Sequence, residues 1–498
     1  MRIKSGKLLP FLAITVALLI FLFSQTFSES TTAQVSFIGS LPTGYTAYSG
    51  KLAIGKSCSC STGGISGAPA GPPPCETVPC FGSSSTRYGW FSTNVAGIRG
   101  IACDELRKTI KSLPSCFQLD GDDALVISGS MSPIQNLPYY SFTLYQSLTY
   151  KDTTESKYYP IQSSVNLGIN NTTLKQGTNG KYVLIVAANT QTINVVKKAL
   201  RATGVPDAIM NSYLVPASVA NVGSFSYPDQ LSLAFRLSFQ SEAERQQANT
   251  FAQQTAPATS VVFVKGPGIK GNISFNNLPK WEDTLKVNES EYTTGLDKNL
   301  NALEAAVSYS YAKKGYKLKA RIREKLLHVD ANACRTNKQS CVYDSPDALY
   351  SSFPCDFSPS LLRNGNCQIE LGPNNQDVLM WVGVDHSLVG NKLQAAYWSG
   401  ESQSFQGGND GTFSFVGLYT QGSAKQYLRS NKVNNLYAIK IARTCGNELY
   451  CGTVPVIGTT PNKTGFIVVG RTYLDKTTGS GPNPANLVPA SLLWFTKN

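Results

Sequence analysis

Histidine is nearly absent from this sequence, because only His328 and His386 occur in its 498 residues. Such scarcity argues against any mechanism that needs several imidazoles. Charged residues are also few, at 15% of the chain, whereas glycine, serine, threonine, asparagine and tyrosine are abundant. This composition favours a strand-rich and loop-rich exported protein over a helical bundle. No internal repeat of the solenoid or propeller type is present.

The chain begins with one long uninterrupted apolar run, at residues 8–23 (LLPFLAITVALLIFLF). Basic residues precede the run, and no charged residue follows it until Glu29. As a helix the run would rise about 24 Å, short of the roughly 30 Å hydrocarbon core, although the uncharged stretch through Ser28 is long enough to span. Residues 1–33 therefore predict either a signal peptide or a signal anchor that attaches the protein to the membrane, and both place its body outside the cytosol.

The twelve cysteines fall into three groups, each with an even number of members. The groups are Cys58, Cys60, Cys75, Cys80, Cys103 and Cys116; then Cys334, Cys341, Cys355 and Cys367; and finally Cys445 and Cys451. Even groups outside the cytosol predict disulfide bonds, whose connectivity within the first group stays open. Zinc in that group is the alternative, but the Cys-x2-Cys spacing is missing and no histidine is near.

Five Asn-x-Ser/Thr sequons lie in polar, turn-like sequence. They begin at Asn170, Asn171, Asn272, Asn288 and Asn462. Each predicts a glycan if the host glycosylates its exported proteins, because a polar turn has room for one.

Hydrophobic periodicity predicts a mixed α/β region at residues 136–330. Alternating or continuous apolar stretches predict strands at residues 139–145, 182–187, 231–239 and 260–265, with an earlier one at residues 124–127. Helices are predicted after an N-cap at Asn189, after a capping box at Ser241 and Glu244, and at residues 296–307.

Residues 377–498 are dominated by strand patterns. The predicted fold class is therefore α+β, with a strand-rich, mixed α/β middle followed by a β-dominated C-terminal part, and with disulfide-stapled loops. Residues 34–135 are predicted as a Cys-rich N-terminal region. Residues 331–376 show little periodicity and are predicted as a Cys-rich insertion that forms a stapled surface excursion.

Three motifs match known ligand sites without the sequence context that those sites need. Residues 50–57 (GKLAIGKS) match the phosphate-binding loop and residues 266–271 (GPGIKG) match the dinucleotide fingerprint, but neither leads into a helix. Asp120, Asp122 and Asp123 suggest a calcium loop, yet the full pattern is missing and a polar turn is favoured. No metal site and no cofactor is therefore predicted.

The segment from Lys313 to Lys325 carries seven basic residues and one acid. After Gly315, apolar and basic residues alternate, which predicts a strand with one basic face, although the apolar spacing also permits a continued helix. The default interpretation is a solvated face. The functional alternative is contact with anionic lipid or an acidic glycan. Nucleic acid is not expected as a partner outside the cell.

A catalytic hypothesis centres on His386, which follows a strand of buried type. This side chain would act as acid or base, with Arg443 or Arg471 binding an anionic group of the substrate. Asp385 points to the opposite face of the strand, and a structural histidine is the alternative interpretation. The protein would then be an extracellular, hydrolase-like enzyme.

Several C-terminal blocks occur in a characteristic order, namely residues 382–390 (VGVDHSLVG), 422–428 (GSAKQYL), 437–445 (YAIKIARTC), 471–474 and 487–493. Together with the earlier blocks YYSFTLY and YVLIVAANT, this series resembles a group of exported or membrane-anchored proteins of unknown function. The resemblance implies one large module over about residues 139–495 and implies no activity. The N-terminal cysteine region lies outside it.

The main functional hypothesis is an exported or membrane-anchored surface protein. Its leader, its even cysteine groups and its sequons predict a disulfide-bonded, glycosylated chain with a binding or structural role. The hydrolase-like enzyme and the anionic lipid or glycan binder are the alternatives.

Overall fold

The computed structural model describes most of the chain, with gaps. The described residues are 37–54, 86–92, 116–150, 158–165, 168–216, 219–222, 228–239, 241–268, 290–327, 331–336, 341, 345–353, 369–386, 398–404, 411–416, 422–453, 465–473 and 483–497. The predicted leader at residues 1–33 and His328 lie outside these ranges.

The N-terminal part of the described chain forms a ten-stranded sheet. Its strands are β1 (Thr46–Ile54), β2 (Thr86–Ser92), β3 (Ala124–Ser130), β4 (Tyr139–Tyr150), β5 (Tyr158–Ser164), β6 (Ile169–Asn170), β7 (Lys181–Ala187), β8 (Met210–Leu214), β9 (Gln230–Ser238) and β10 (Ser260–Lys265). The order is β5-β4-β9-β2-β1-β10-β3-β7-β8, and β6 pairs with β4. Since β1 to β3 pair with β9, β10 and β7, the predicted boundary at residue 135 does not divide the sheet.

Most of this sheet is antiparallel, but β7 and β8 are parallel because helix α1 (Thr190–Ala202) crosses between them. The side chain of Asn189 accepts a hydrogen bond from the backbone N–H of Gln191 at 2.7 Å and so caps α1. Gly204 follows the helix with φ +85°, a conformation that favours glycine. The strand–cap–helix prediction is therefore confirmed.

The part of the sheet around β3 and β7 is covered on both faces. Helix α1 packs Ile193, Val196 and Leu200 against one face, while the end of α2 (Glu242–Thr250) and the following turn bring Phe251 to the other. The predicted capping box of α2 is present, because Ser241 and Glu244 satisfy each other's backbone N–H. Cover on both faces explains why β7 is a continuous apolar run.

The C-terminal part of the described chain contains two further sheets. The five-stranded sheet has the order β11 (Tyr316–Arg323), β21 (Ser491–Lys497), β15 (Asp377–Val384), β18 (Leu436–Ala442) and β19 (Cys451–Thr453). The six-stranded sheet has the order β12 (Lys325–Leu327), β13 (Ala348–Phe353), β20 (Gly465–Tyr473), β16 (Trp398–Ser404) and β17 (Gly411–Val416), with β14 (Ile369–Glu370) paired to β20. The strand prediction for residues after 315 is confirmed, and the continued helix is wrong.

A shared apolar core joins these two sheets. Trp381 of β15 is fully buried and its ring lies 5.6 Å from that of Phe353 of β13, between centroids. Helix α3 (Leu296–Lys313) covers the other face of the five-stranded sheet and packs Leu300, Leu303 and Val307 against β15 and β21. The α+β prediction is thus confirmed, with strands as the main component.

The prediction of a stapled surface excursion at residues 331–376 is wrong for residues 345–353. There β13 lies inside the six-stranded sheet, and Leu349 and Phe353 are buried. Helix α4 (Ala331–Thr336) also contacts the first sheet, since Arg335 donates to the carbonyl of Ser164 at 2.8 Å. The sequence of residues 331–376 shows little hydrophobic periodicity, because the contacts of this segment come from distant parts of the chain.

Candidate anion-binding surface

Helix α3 and strand β11 meet at a tight turn that concentrates positive charge. Lys313 and Lys314 end the helix, where cations interact favourably with its dipole. Gly315 then adopts φ +80°, and β11 begins at the next residue. Since β11 is the terminal strand in the order of the five-stranded sheet, its basic side chains lie at the edge of this sheet.

A β-bulge in β11 divides its basic residues between two faces. The pairing with β21 shifts between Leu318 and Ala320, so Lys319 is the additional residue. Consequently Leu318 and Arg321 both lie on the face that α3 covers, opposite Phe495 and Leu493. The predicted single basic face is therefore wrong, because the alternation reverses at Lys319.

The two arginines of β11 are held by α3. Arg321 lies 2.5 Å and Arg323 lies 3.3 Å from the carboxylate of Glu304, whose side chain is buried. Both guanidinium groups also donate to Asn301 Oδ1, at 3.1 and 3.2 Å. These contacts attach the edge strand to the helix, and the Glu304 carboxylate offsets part of the charge of the two arginines.

Four lysines in this area lie over aromatic rings and keep their ammonium groups at the surface. The Nζ-to-centroid distances are 4.4 Å for Lys313 over Tyr309, 5.2 Å for Lys314 over Tyr311, 3.8 Å for Lys319 over Trp494 and 6.0 Å for Lys497 over Tyr316. All four lysines are exposed, as is Lys317. Ring contact restrains the aliphatic stems while the charged ends remain in water.

We define the α3–β11 surface as these five lysines, Lys313, Lys314, Lys317, Lys319 and Lys497, together with Tyr309 and Leu318. The sequence pattern identified most of them but missed Tyr309 and Lys497. The i, i+4 spacing of Tyr309 and Lys313 was a local signal for their contact. No local signal places Lys497 beside Tyr316, because that contact depends on strand pairing.

The one acid of the basic segment does not reach the α3–β11 surface. Glu324 is buried, and its carboxylate accepts the backbone N–H of Ala490 at 2.8 Å. An exposed acid nearby, Glu448, is paired with Lys440 Nζ at 2.8 Å. Two further acids lie near this edge of the sheet, because Glu304 pairs with the two arginines and Asp377 accepts a hydrogen bond from Trp494 Nε1 at 3.2 Å. The basic side chains still outnumber these acids, which favours anionic partners.

His386 lies in the protein interior and pairs with Glu291. Its Nδ1 is 2.7 Å from Glu291 Oε1, and both side chains are buried. Burial by itself would lower the pKa of His386, but the Glu291 carboxylate, with Glu324 and Asp385, raises it above its ordinary value. The other oxygen of Glu291 accepts the backbone N–H of Val488 at 2.7 Å. This arrangement matches a structural histidine.

The structure does not bring His386 and Arg443 together. Asp385 N–H donates to the Asn435 carbonyl at one end of β18, and Arg443 follows the other end, so roughly 25 Å of strand separates them. Burial lowers the pKa of Arg443, which donates to the Leu371 carbonyl at 2.7 Å. Arg471 lies in the six-stranded sheet, 5.5 Å from the ring centroid of Tyr350.

The acids at residues 120–123 form a polar turn, as favoured by the sequence. Lys265 Nζ contacts the carboxylates of Asp120 and Asp123, and the glycine-rich loop after β10 donates backbone N–H groups to Asp122 and Asp123. Gly50 lies within β1 and not in a phosphate-binding loop. Within the described ranges, no group of three or more His, Cys, Asp or Glu side chains is arranged to hold a metal ion.

Disulfide bonds confirm part of the cysteine prediction. Cys334 is bonded to Cys341, with their Cα atoms 5.8 Å apart, and Cys445 to Cys451, with 5.6 Å. Cys116 is disulfide-bonded as well. The remaining cysteines of the three groups, Cys58, Cys60, Cys75, Cys80, Cys103, Cys355 and Cys367, lie outside the described residues.

The adjacent sequons at Asn170 and Asn171 differ in their surroundings. Asn170 is 2% exposed, and its Nδ2 donates to Asp347 Oδ2 at 3.1 Å, so a glycan cannot be accommodated there and the prediction is corrected. Asn171 is half-buried, and its amide makes only a long contact of 3.4 Å with the Pro138 carbonyl. Asn272, Asn288 and Asn462 lie outside the described residues.

We therefore expect glycosylation at Asn171 and not at Asn170 when the chain is produced in a host that glycosylates exported proteins. Mass spectrometry of glycopeptides covering this turn, before and after enzymatic deglycosylation, locates the modified asparagine. Asn171→Gln is expected to remove the glycan with little effect on folding. A glycan found at Asn170 in folded protein would contradict the buried contact with Asp347.

No protein-family model matches this chain, and no curated protein sequence matches it either. Among the described residues, no helix is long and apolar enough to cross a bilayer. Evidence on function therefore comes from the residues of this chain, and the α3–β11 surface is the strongest candidate among them.

Proposed function

We propose that the protein acts outside the cytosol and binds an anionic partner through the α3–β11 surface. Disulfide bonds support the location, because they persist in oxidising compartments and are rare in the cytosol. The basic and apolar pattern of residues 1–33 supports export or membrane anchoring. Binding, rather than chemistry, fits a chain whose candidate catalytic histidine is buried.

One observation carries this proposal. Lys313 and Lys314 lie at the α3–β11 turn, Lys317 and Lys319 follow on β11, and Lys497 is paired with Tyr316, the first residue of β11. All five lysines are exposed, while the acid of the segment, Glu324, is buried. Such a cluster attracts phosphate, sulfate or carboxylate groups more strongly than the same lysines would when scattered, because their potentials add. Each lysine near an anionic lipid surface contributes about 1 kcal/mol to binding.

Reversing three of these charges is the direct test. We expect Lys313→Glu/Lys314→Glu/Lys317→Glu to weaken binding to vesicles containing phosphatidylserine, or to heparin, by roughly 100-fold, the equivalent of about 1 kcal/mol for each lysine. Vesicle sedimentation and heparin chromatography over a range of salt concentrations measure the effect. Binding should also weaken with salt in the unmodified protein, because exposed charges are screened.

A matched variant separates a local site from net charge. Lys175, Lys181 and Lys198 are exposed lysines of the N-terminal part, and replacing all three with glutamate makes the same change in total charge. This control is expected to retain binding close to that of the unmodified protein. Equal losses in the two variants, or no loss in the first, would refute a localised α3–β11 site.

A further inference from the structure

Large apolar side chains are exposed around the same turn. Among the described residues, the exposed large hydrophobic side chains are Tyr309 at 64%, Leu449 at 54%, Leu318 at 48% and Tyr292 at 45%. Two of them, Tyr309 and Leu318, belong to the α3–β11 surface itself. Water contact with apolar side chains of this size is unfavourable, so their grouping among lysines suggests a partner that covers both kinds of group.

Leu449 is carried to this region by the loop that the Cys445–Cys451 disulfide closes. Burial raises the pKa of Tyr316, and the charge of Glu448, the residue before Leu449, raises this pKa further. Asn375 connects Tyr316 with the residue that precedes this loop. Its carbonyl accepts a hydrogen bond from Tyr316 Oη at 3.0 Å, and its side chain donates one to the Thr444 carbonyl at 2.8 Å. The strand register places the start of β11, the start of β15 and the end of β18 at the same end of the five-stranded sheet. Leu449 lies in the loop after β18, so it is exposed at this end of the sheet.

The combination of lysines with exposed apolar side chains favours one of two kinds of anionic partner. An acidic glycan offers charges and hydroxyl groups, so it would pair with the lysines but leave Leu318 and Leu449 in water. An anionic lipid leaflet offers phosphate groups above an apolar layer, which satisfies both sets of side chains at once. Tyrosine is also enriched at the level of the lipid headgroups, where its ring is half in apolar surroundings.

We propose that the partner of the α3–β11 surface is an anionic phospholipid leaflet, an inference that rests on the proposed anion-binding function. The lysines contact lipid phosphates, Leu318 and Leu449 enter the boundary between headgroups and acyl chains, and Tyr309 lies at the headgroup level. Lys313 stacks on Tyr309 at 4.4 Å, so one charge and one ring would approach the leaflet together. The body of the protein would then lie against the membrane through this end of the five-stranded sheet.

The test removes the apolar groups and keeps every lysine. We expect Leu318→Ser/Leu449→Ser to bind vesicles of equal phosphatidylserine and phosphatidylcholine about 30-fold more weakly than the unmodified protein, because two leucines lose a burial site. Heparin binding of the same variant is expected to stay unchanged. Tyr292→Ser, which removes an exposed ring outside the defined surface, serves as the matched control and should retain vesicle binding.

A second variant reports insertion directly. Tryptophan fluorescence of Leu318→Trp, corrected for the unmodified protein, is expected to be quenched by vesicles with brominated acyl chains and not by heparin. If the double serine variant binds vesicles as well as the unmodified protein does, or if no quenching is seen, the membrane assignment is overturned. Heparin binding in the same experiments would still support the anion-binding function. Failure of the unmodified protein to bind either vesicles or heparin would instead refute the anion-binding function itself.

Discussion

Glu291→Ala is expected to lower the free energy of unfolding by about 3–5 kcal/mol, the usual effect of removing one partner of a buried ion pair. The carboxylate lies 2.7 Å from His386 Nδ1 and also accepts the Val488 N–H, and it is fully buried. Alanine would leave the imidazole and the N–H without this partner. Urea denaturation monitored by tryptophan fluorescence measures the change.

A matched control is provided by an ion pair at the surface. Arg201 and Asp207 lie 2.8 Å apart with more than half of each side chain exposed, so Asp207→Ala is expected to change stability little. Similar denaturation midpoints for Glu291→Ala and the unmodified protein would show that the buried pair makes no net contribution.

The same pair also determines a pH dependence. Because the pKa of His386 is raised in the folded protein, the folded state binds the proton more tightly than the unfolded state does. Its contribution to stability is complete below the unfolded pKa of about 6.5 and is lost as pH rises through the folded pKa. Hence raising the pH from about 6 to about 9 should lower the denaturation midpoint, and His386→Gln should reduce this slope.

Asp347→Ala is expected to destabilise the protein by at least about 3 kcal/mol, because several buried donors lose their acceptor at once and each costs roughly 1–3 kcal/mol. The carboxylate is fully buried. It accepts hydrogen bonds from the Gly168 N–H at 2.8 Å, from Tyr139 Oη at 2.9 Å and from Asn170 Nδ2 at 3.1 Å. Burial raises the pKa of this carboxyl, and these donors oppose the rise.

These contacts join the first sheet to the segment that precedes β13. The rings of Tyr139 and Tyr473 lie 4.4 Å apart between centroids and strengthen the same junction. We therefore expect Asp347→Ala to broaden or split the thermal transition in calorimetry, since the two parts would unfold less cooperatively. Tyr139→Phe removes one donor of the three and should cost about 1 kcal/mol. A single unshifted transition in Asp347→Ala would refute this coupling.

The sequence alone predicted those elements whose signals are local. The cap at Asn189, the capping box at Ser241 and Glu244, and the alternation in β9 and β11 each depend on neighbours within a few residues. The same holds for the Cys445–Cys451 disulfide, because its partners are six residues apart. The fold class and the positions of most helices and strands could therefore be predicted without any knowledge of the packing.

Tertiary structure decided which polar groups are buried and which basic groups are free. Glu291 and His386 are 95 residues apart, and Tyr139 and Asp347 are 208 apart, so no local pattern marks either contact. The bulge at Lys319 and the burial of Asn170 likewise depend on a partner strand or a distant carboxylate. Local patterns define helices and strands because backbone conformation depends on near neighbours, whereas the environment of each side chain depends on what the fold places beside it.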